Sequence, residues 1–288
     1  MPLRTRFAPS PTGLLHVGNA YSALCCMQWA ELNQGLCLLR IEDIDHTRCR
    51  EQYTKAILED LTWLGLRWPE PVLKQSQRIP MYLAALEKLR QMHVIYPCFC
   101  TRRDIEDEIK RMSLAPHRDD PPPDYPGTCR RLSPAEQQEK MEQQPFAWRL
   151  DVAQALSMLS SPLTWQDDRG GIHPAIVDHD VVIGRRDIGI SYHLAVVVDD
   201  AEQGITHIIR GEDLRDSIPI HRLLQSLLGL PEPVYIHHRL VRDSAGNRIA
   251  KRHAGTTLRS LRAMNVSPDV LRNFLLNSTD LIWPEAGI

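Results

Sequence analysis

The sequence predicts an α/β fold with a doubly wound parallel sheet, in which helices cover both faces of the strands. Short apolar segments typical of buried strands, such as Leu36–Ile41, alternate with segments of helical spacing, such as Ala20–Asn33. The alternation stops near Pro97 and returns at Tyr192–Asp200. With 288 residues, the chain has room for one large domain or two modest ones. We therefore expect a parallel sheet whose chain path is interrupted by an insertion.

Strands and helices alternate in the first part of the chain. A short strand precedes the proline-containing turn at Pro9–Pro11, and apolar residues at intervals of three and four predict the helices that follow. Breaks rich in glycine and proline separate these segments. The predicted elements are helix Ala20–Leu32, strand Leu36–Ile41, and helices Tyr53–Leu64 and Met81–Met92.

The middle of the chain, from Pro97, has a different composition. A charged helix is predicted over Arg102–Arg118, and the proline- and aspartate-rich stretch Asp119–Pro126 excludes regular structure. Ser133-Pro134-Ala135-Glu136 has the pattern of a capping box that starts another helix. Three strands follow: Phe146–Val152, Leu163–Asp168 and Ala175–Ile183, with a hairpin turn between the second and third at Arg169-Gly170-Gly171. This block is interpreted as the insertion.

The alternation of predicted strands and helices returns in the last part of the chain. The apolar run Leu194–Val198 is predicted to be a buried parallel strand. After Pro233 the pattern changes to a loop that carries Arg248–Arg252. The other predicted elements are strand Thr206–Arg210 and helices Ile218–Leu228, Thr257–Met264 and Pro268–Asn277.

Composition narrows the class of protein. No run of eighteen apolar residues exists and the N-terminus lacks the apolar stretch of a signal peptide, so we expect a cytoplasmic enzyme without a membrane span. The net charge of −2 argues against bulk electrostatic binding of nucleic acid, although a local basic face remains compatible with it. Candidate backbone contacts, which are more often simply solvated charges, are Arg102-Arg103, Arg130-Arg131, Lys251-Arg252, Arg259 and Arg262.

The N-terminal motif predicts a site for an anion. It runs from Arg6 through Pro9-Ser10-Pro11-Thr12-Gly13 to His16-Val17-Gly18-Asn19, as a strand, a turn and the start of a helix. Prolines fix φ in the turn, and glycine lets the backbone approach a ligand closely. Backbone N–H groups at a helix N-terminus attract anions, so the motif favours nucleotide phosphates, with the His16 ring as a further donor.

A second motif places charges directly after an apolar strand. Arg40, Glu42, Asp43, Asp45 and Arg48 follow or end the predicted strand Leu36–Ile41. In an α/β fold, ligands bind at the carboxyl ends of the strands. The alternative is a set of surface ion pairs, which stabilise proteins little.

These two motifs and a third, Ile209–Leu214, resemble those of the class I glutamyl- and glutaminyl-tRNA synthetases, and the first is similar to their "HIGH" signature. The similarity runs from Thr5 to about Leu276. Within this superfamily the short chain resembles the glutamyl-Q tRNA(Asp) synthetases, paralogues that lack the anticodon-binding half. The resemblance implies a Rossmann-like catalytic domain in two halves, 1–96 and 186–233. It also implies an inserted acceptor-binding-like subdomain with zinc at 97–185 and a small helical region at 234–288.

The resemblance implies an ATP-dependent ligase. The expected reaction activates L-glutamate with ATP and Mg²⁺, then transfers the glutamate to queuosine in the anticodon stem-loop of tRNA(Asp), and the enzyme is expected to be a monomer. One alternative is a shortened glutamyl-tRNA synthetase that charges a tRNA 3′ end. The other is a catalytically silent module that binds tRNA or an amino acid.

The resemblance also assigns residues. His16 and Lys251 would stabilise phosphate charge as the catalytic pair, and Lys251 lies in a segment similar to the "KMSKS" loop, with Arg248 and Ala250 replacing the usual lysine and serine. The glutamate site would comprise Arg6, Phe7, Ala8, Pro9, Ser10, Glu42, Tyr192 and Arg210. The ATP site would comprise His16, Gly18, Asn19, Glu212, Asp213 and Lys251.

A structural zinc site is predicted around three cysteines. Cys98, Cys100 and Cys129 supply thiolates, and tetrahedral zinc needs a fourth ligand. Ligand chemistry favours His117, since imidazole is a far commoner zinc ligand than phenol, whereas the resemblance favours Tyr125. The alternative is three reduced cysteines without a metal, because Cys-x-Cys is a looser signal than paired Cys-x-x-Cys.

Overall fold

Two small parallel sheets lie side by side at the centre of the structure. The structure is a computed structural model and describes residues 2–101, 103–105, 125–247, 249 and 257–284. The strands are β1 Arg4–Phe7, β2 Leu36–Ile41, β3 Leu73–Lys74, β4 Ile95–Cys98, β5 Ala147–Leu150, β6 Thr164–Gln166, β7 Ile172–Pro174, β8 Val181–Gly184, β9 His207–Gly211 and β10 Val234–His238. The helices are α1 Val17–Leu32, α2 Glu51–Trp63, α3 Ile79–Gln91, α4 Pro134–Gln143, α5 Val152–Ser157, α6 Tyr192–Glu202, α7 Ile218–Leu228, α8 Leu258–Ala263 and α9 Pro268–Asn277.

The parallel strands follow the order β3-β2-β1 and then β9-β10. β1 and β9 begin next to each other, because the Thr206 amide donates to the Arg4 carbonyl over 3.0 Å. The chain therefore reverses its direction of winding between β1 and β9, which is where open α/β sheets bind ligands. This arrangement confirms the predicted fold class.

Two large apolar cores stabilise the described part of the molecule. The first joins α1, α2 and the first sheet to the C-terminal helices α8 and α9. The second forms where α3, α6 and α7 pack on β4, β5 and β8, with Tyr82, Leu150, Ile183 and Leu194 fully buried at its centre. The first core fixes the start of α1 and the second fixes α6 and α7, so both hold elements that surround the central cleft.

The prediction of a strand at Leu194–Val198 was wrong, because these residues lie inside helix α6. Ser191 caps the helix, its Oγ accepting from the Leu194 amide over 3.5 Å. A continuous apolar run is compatible with either a buried strand or a helix that is buried on most sides, and α6 is the second case. The last turn of this helix therefore delivers Asp199 and Asp200 to the interior of the protein.

An antiparallel sheet, β4-β5-β8, and a hairpin, β6-β7, form most of the described middle part. The predicted strand Ala175–Ile183 was wrong over its first six residues, since β7 ends at Pro174 and β8 begins at Val181. The hairpin turn is confirmed, with Gly170 at φ +79°. The capping box is confirmed too: Ser133 Oγ accepts from the Glu136 amide over 3.3 Å. The predicted helix at Arg102–Arg118 lies almost entirely outside the described residues.

The remaining predicted elements agree with the structure to within three residues at each end. They are α1, β2, α2, α3, β9, α7, α8 and α9. Among the residues described, no helix is long and apolar enough to cross a membrane. The domain boundaries inferred from the sequence stay a prediction.

Candidate active site

A cavity of about 480 Å³ opens at the carboxyl ends of β1 and β9. Its size is within the range of small-molecule sites. Of the residues assigned above to glutamate or ATP, those on its wall are Arg6, Phe7, Ala8, Pro9, Ser10, His16, Gly18, Asn19, Glu42, Tyr192, Arg210 and Asp213. The fold therefore brings together residues that are far apart in the sequence, from four separate segments of the chain.

Two of the assigned residues, Glu212 and Lys251, are not among those on the cavity wall as described. The Glu212 carboxylate, beside the cavity wall, forms an ion pair of 3.6 Å with Arg242. Lys251, with Arg248 and Ala250, lies outside the described residues. Ile249 is described, and it is buried against the cavity with its amide donating to the Val241 carbonyl over 3.1 Å.

His16 caps helix α1 with its own ring. Its Nδ1 accepts from the amides of Gly18 and Asn19 over 3.1 and 3.3 Å, and Asn19 Oδ1 accepts from the His16 amide over 3.1 Å. Because Nδ1 is an acceptor, the proton of the neutral ring lies on Nε2. An Nε2–H group is a donor of the kind that suits a phosphate oxygen. The Gly18 and Asn19 amides are engaged by the cap.

Gly18 is needed for this arrangement. A Cβ atom at position 18 would lie 3.0 Å from both Cε1 and Nδ1 of His16. A side chain there would displace the ring from its capping position. Position 18 therefore requires glycine because a side chain would collide with the His16 ring, and not because of an unusual φ angle.

A buried carboxylate, Asp200, holds two arginines beneath the cavity. Arg6 donates to it from Nε over 2.9 Å and from Nη2 over 3.4 Å, and Arg40 donates from Nη1 over 2.8 Å. All three side chains are at least 94% buried. Burial by itself raises the pKa of Asp200, but Arg6 and Arg40 outweigh it and hold that pKa below its ordinary value.

The neighbouring carboxylate, Asp199, anchors α3 to α6. It accepts from Arg78 Nε and Gln75 Nε2 over 2.8 Å each, and from the Tyr82 hydroxyl over 2.7 Å. Arg40 Nε lies 3.9 Å away. The two adjacent aspartates thus fix the arginines from the side opposite the cavity.

Glu42 follows β2 and faces the cavity. Arg40 Nη2 approaches its Oε1 at 3.4 Å. Burial raises the pKa of Glu42 above its ordinary value, against the opposing effect of Arg40 and Arg6. A ligand ammonium group would favour the ionised form of this carboxylate and be bound by it.

Arg210, at the end of β9, is a buried cation without a carboxylate partner within 4 Å among the described residues. Its side chain stacks over the Tyr235 ring at 5.4 Å, and Nη1 lies 3.4 Å from Nδ1 of His221. Within the same part of the structure, Nε and Nη2 have no hydrogen-bond partner. A buried guanidinium with unpartnered donors, in a residue that lines the cavity, suits a ligand carboxylate.

Several residues around the cavity did not stand out in the sequence. Asp199 and Asp200 were missed as charged anchors, although two acidic residues directly after a run of five apolar ones are a signal of buried charge. His193, His221 and His238 gave no signal, because single histidines are common. His238 also lies on the cavity wall, where its Nε2 is 3.0 Å from Ser22 Oγ.

The three cysteines predicted to bind metal lie together at the end of β4. Their sulfur atoms are all within 4.8 Å of one another, and those of Cys100 and Cys129 are 3.4 Å apart. Around tetrahedral zinc, thiolate sulfurs lie about 3.8 Å apart, so the cluster fits with small shifts. The Tyr125 hydroxyl is 3.9 Å from Cys100 Sγ and accepts from the Cys129 amide over 2.8 Å. His117, the other candidate ligand, lies outside the described residues.

Comparisons with known proteins agree with this geometry. Residues 2–280 match the family model of the catalytic domain of class I tRNA synthetases for glutamate and glutamine. A glutamyl-Q tRNA(Asp) synthetase of Rhodobacter capsulatus is 45% identical over 280 residues, covering 94% of this chain and 99% of that protein. One from Nocardia farcinica is 41% identical, covering 96% of this chain and 84% of that protein.

A solved structure has the same fold over most of this chain. It is a glutamate tRNA ligase of Elizabethkingia meningosepticum in complex with its amino acid, with a TM-score of 0.77 and 26% sequence identity. The superposition covers 96% of this chain and 61% of that protein, so the chain spans less than two thirds of the ligase.

Proposed function

The chain belongs to the class I tRNA synthetases for glutamate and glutamine, and we propose that it activates L-glutamate with ATP and transfers it to queuosine at the wobble position of tRNA(Asp). Membership of this family makes the protein a ligase. The observation that carries the choice of amino acid is Arg210, a buried cation on the cavity wall with two nitrogens unpartnered among the described residues. The choice of nucleoside is supported by the similarity to glutamyl-Q tRNA(Asp) synthetases over at least 94% of this chain.

In the proposed binding mode, the ligand's charges match those of the cavity. Arg210 and the remaining N–H groups of Arg6 would take the side-chain carboxylate of glutamate. Glu42 would take its ammonium group, and Tyr192 at the start of α6 would close the pocket. Asp200 already engages Arg6, so this arginine is held in place before the substrate arrives.

Activation needs little proton transfer, because the attacking carboxylate is already a nucleophile. It displaces pyrophosphate at the α-phosphorus of ATP, so catalysis rests on positioning and on neutralising phosphate charge. The Nε2–H of His16 would donate to a phosphate oxygen, and Lys251 would supply a cation. Attack of a queuosine hydroxyl on the mixed anhydride would then form the ester and release AMP.

The cysteine cluster is proposed to hold structural zinc. Cys98, Cys100 and Cys129 would be three ligands and Tyr125 the fourth, and the metal would tie the end of β4 to the segment around Cys129. The three sulfurs pack with Tyr96 and Leu132 in a small apolar group of their own, separate from both main cores. Zinc would stabilise this part of the insertion and take no part in the reaction.

ATP–pyrophosphate exchange with glutamate tests the activation step. The resemblance to the glutamyl-Q enzymes implies exchange without tRNA, whereas ordinary glutamyl-tRNA synthetases generally need their tRNA bound. We expect exchange without tRNA, and its loss in Lys251→Ala with the fold intact by circular dichroism. Exchange that appears only with tRNA would favour conventional charging, and no exchange under either condition would refute the proposed activation.

A further inference from the structure

Two histidines behind Arg210 have no role in the binding mode described above. His221 on α7 is 1% exposed, and its Nδ1 lies 3.4 Å from Arg210 Nη1. Its Nε2 lies 3.1 Å from Nδ1 of His193, the second residue of α6. Arg210, His221 and His193 thus form a chain of hydrogen bonds that leads from the cavity wall into the packing between two helices.

The direction of these bonds follows from Arg210. A guanidinium can only donate, so Nδ1 of His221 is an acceptor and the His221 proton lies on Nε2. That proton is donated to Nδ1 of His193, whose own proton therefore lies on Nε2. Each ring is neutral in this arrangement, because a proton on Nδ1 of His221 would make that nitrogen a donor facing the N–H donors of Arg210.

The surroundings of the rings agree with neutrality. Burial, and next the charge of Arg210, lower the pKa of His193 to about 4 and that of His221 well below its ordinary value. A metal would need a third ligand, and the group found to offer three such ligands in the described part of the chain is the cysteine cluster. The pair is therefore a neutral hydrogen-bonding unit.

The contrast with Arg6 shows what a neutral partner achieves. Arg6 is bound through two nitrogens by the carboxylate of Asp200, which compensates its charge before any ligand arrives. Arg210 is held through one nitrogen by an imidazole, which orients the guanidinium without compensating its charge. Because no carboxylate of the described residues lies within 4 Å of Arg210, its charge remains available to an anion in the cavity.

We infer that His221, oriented by His193, is a positioning residue that makes this subsite select a carboxylate over a carboxamide. This assignment rests on the proposed binding of glutamate at Arg210. The neutral ring fixes the direction of Nε and Nη2, two buried donors of Arg210 that have no hydrogen-bond partner among the described residues. A carboxamide has no charge to pair with Arg210, and its NH₂ group would face donors.

Three substitutions at position 221 test the assignment by the dissociation constants of glutamate and glutamine. His221→Gln keeps an acceptor for Arg210, and we expect glutamate affinity within about threefold of the wild type. His221→Leu removes the acceptor and should weaken glutamate by at least about tenfold. His221→Glu places a competing carboxylate on Arg210 and should weaken glutamate by about a hundredfold, with glutamine changed by less than about threefold.

Gln225→Leu is the matched control. Gln225 lies one turn further along α7 and is equally buried. Its hydrogen bonds among the described residues involve Arg222 and Tyr235, so it contacts the ring beneath Arg210 but not Arg210 or His221 by a hydrogen bond. It should leave the ratio of glutamate to glutamine affinity unchanged. Equal weakening of both ligands in His221→Glu, or the same loss in Gln225→Leu, would show a purely structural role and overturn the assignment.

Pyrophosphate exchange separates this test from that of the proposed function. Glutamate binding that responds to position 221 in a protein without exchange would support the assignment while refuting the proposed activation. Pyrophosphate exchange by the wild type, together with an unchanged preference for glutamate over glutamine in His221→Glu, would support the proposed activation and overturn the assignment of His221. A wild-type protein that binds no glutamate would overturn both.

Discussion

Replacing Asp200 by asparagine tests the buried charge network directly. The carboxylate accepts hydrogen bonds from Arg6 over 2.9 and 3.4 Å and from Arg40 over 2.8 Å, and Asp200 is 3% exposed. Asparagine has nearly the same shape but no charge, and its NH₂ group would face guanidinium donors. Removing one partner from a buried ion pair costs about 3–5 kcal/mol, because the remaining charge stays buried without compensation.

The assay is urea unfolding followed by circular dichroism. A loss of that size should lower the midpoint by about 1 M or more, given the slopes usual for proteins. Asp187→Asn is the matched control, because Asp187 pairs with Arg185 in a solvent-accessible position and such pairs contribute about 0–1 kcal/mol. Glutamate affinity should fall in Asp200→Asn and stay normal in the control.

The pH dependence gives a second check on Asp200. Its pKa is lowered in the folded protein, so its contribution is present above the unfolded pKa of about 3.9 and is lost as pH falls through the folded value. The difference between wild type and Asp200→Asn should therefore be largest near neutral pH and shrink in strong acid. Equal midpoints for the two proteins at pH 7 would refute the account of this network.

Three further predictions concern other parts of the molecule. Glu42→Gln should raise the KM for glutamate about tenfold or more, since the partner of the ligand's ammonium group is lost. Because burial raises the pKa of Glu42, the KM of the wild type should rise as the pH falls toward that pKa. Exchange assays across pH 5–8 should show this pH dependence in the wild type and not in the variant. Cys129→Ser should remove about one zinc per chain by elemental analysis and lower thermal stability, with tRNA-independent exchange within about threefold of the wild type; retained zinc would contradict the ligand assignment. Asp60→Asn should stabilise the protein at pH 8 by about 1–3 kcal/mol and have little effect near pH 4. Burial raises the pKa of Asp60 to about 6, so the favourable contribution of this carboxyl group to stability is lost as pH rises through that value. A urea midpoint of the variant at pH 8 no higher than that of the wild type would contradict this prediction.

The sequence predicted the fold class and about half of the residues of the cavity wall, because both depend on local signals. Glycine and proline mark the turn after β1, and apolar spacing marks the helices, as at α7. Helix α6 was mistaken for a strand because it is buried on most sides, so its sequence lacks the regularly spaced polar positions that mark the exposed face of a helix. The same error hid Asp199 and Asp200, whose partners on α3, β1 and β2 are distant in the sequence.

The role of His221 was beyond the reach of the sequence for a different reason. Its significance depends on the distance to Arg210 and on the lack of a carboxylate near that arginine among the described residues, and both are properties of the folded chain. Arg6 illustrates the same point. Its side chain lies at the predicted cavity, but its hydrogen bonds to Asp200 make it a pre-positioned group whose donors are only partly available.

Transfer of radiolabelled glutamate to tRNA(Asp) tests the central claim most directly. Two preparations are compared, one with queuosine at the wobble position and one with guanosine, and each is also tested after removal of its 3′-terminal adenosine. We expect labelling of the queuosine-containing tRNA alone, unaffected by the loss of the terminal adenosine. Labelling that ignores queuosine and requires the 3′ adenosine would contradict the proposal and identify a conventional charging enzyme.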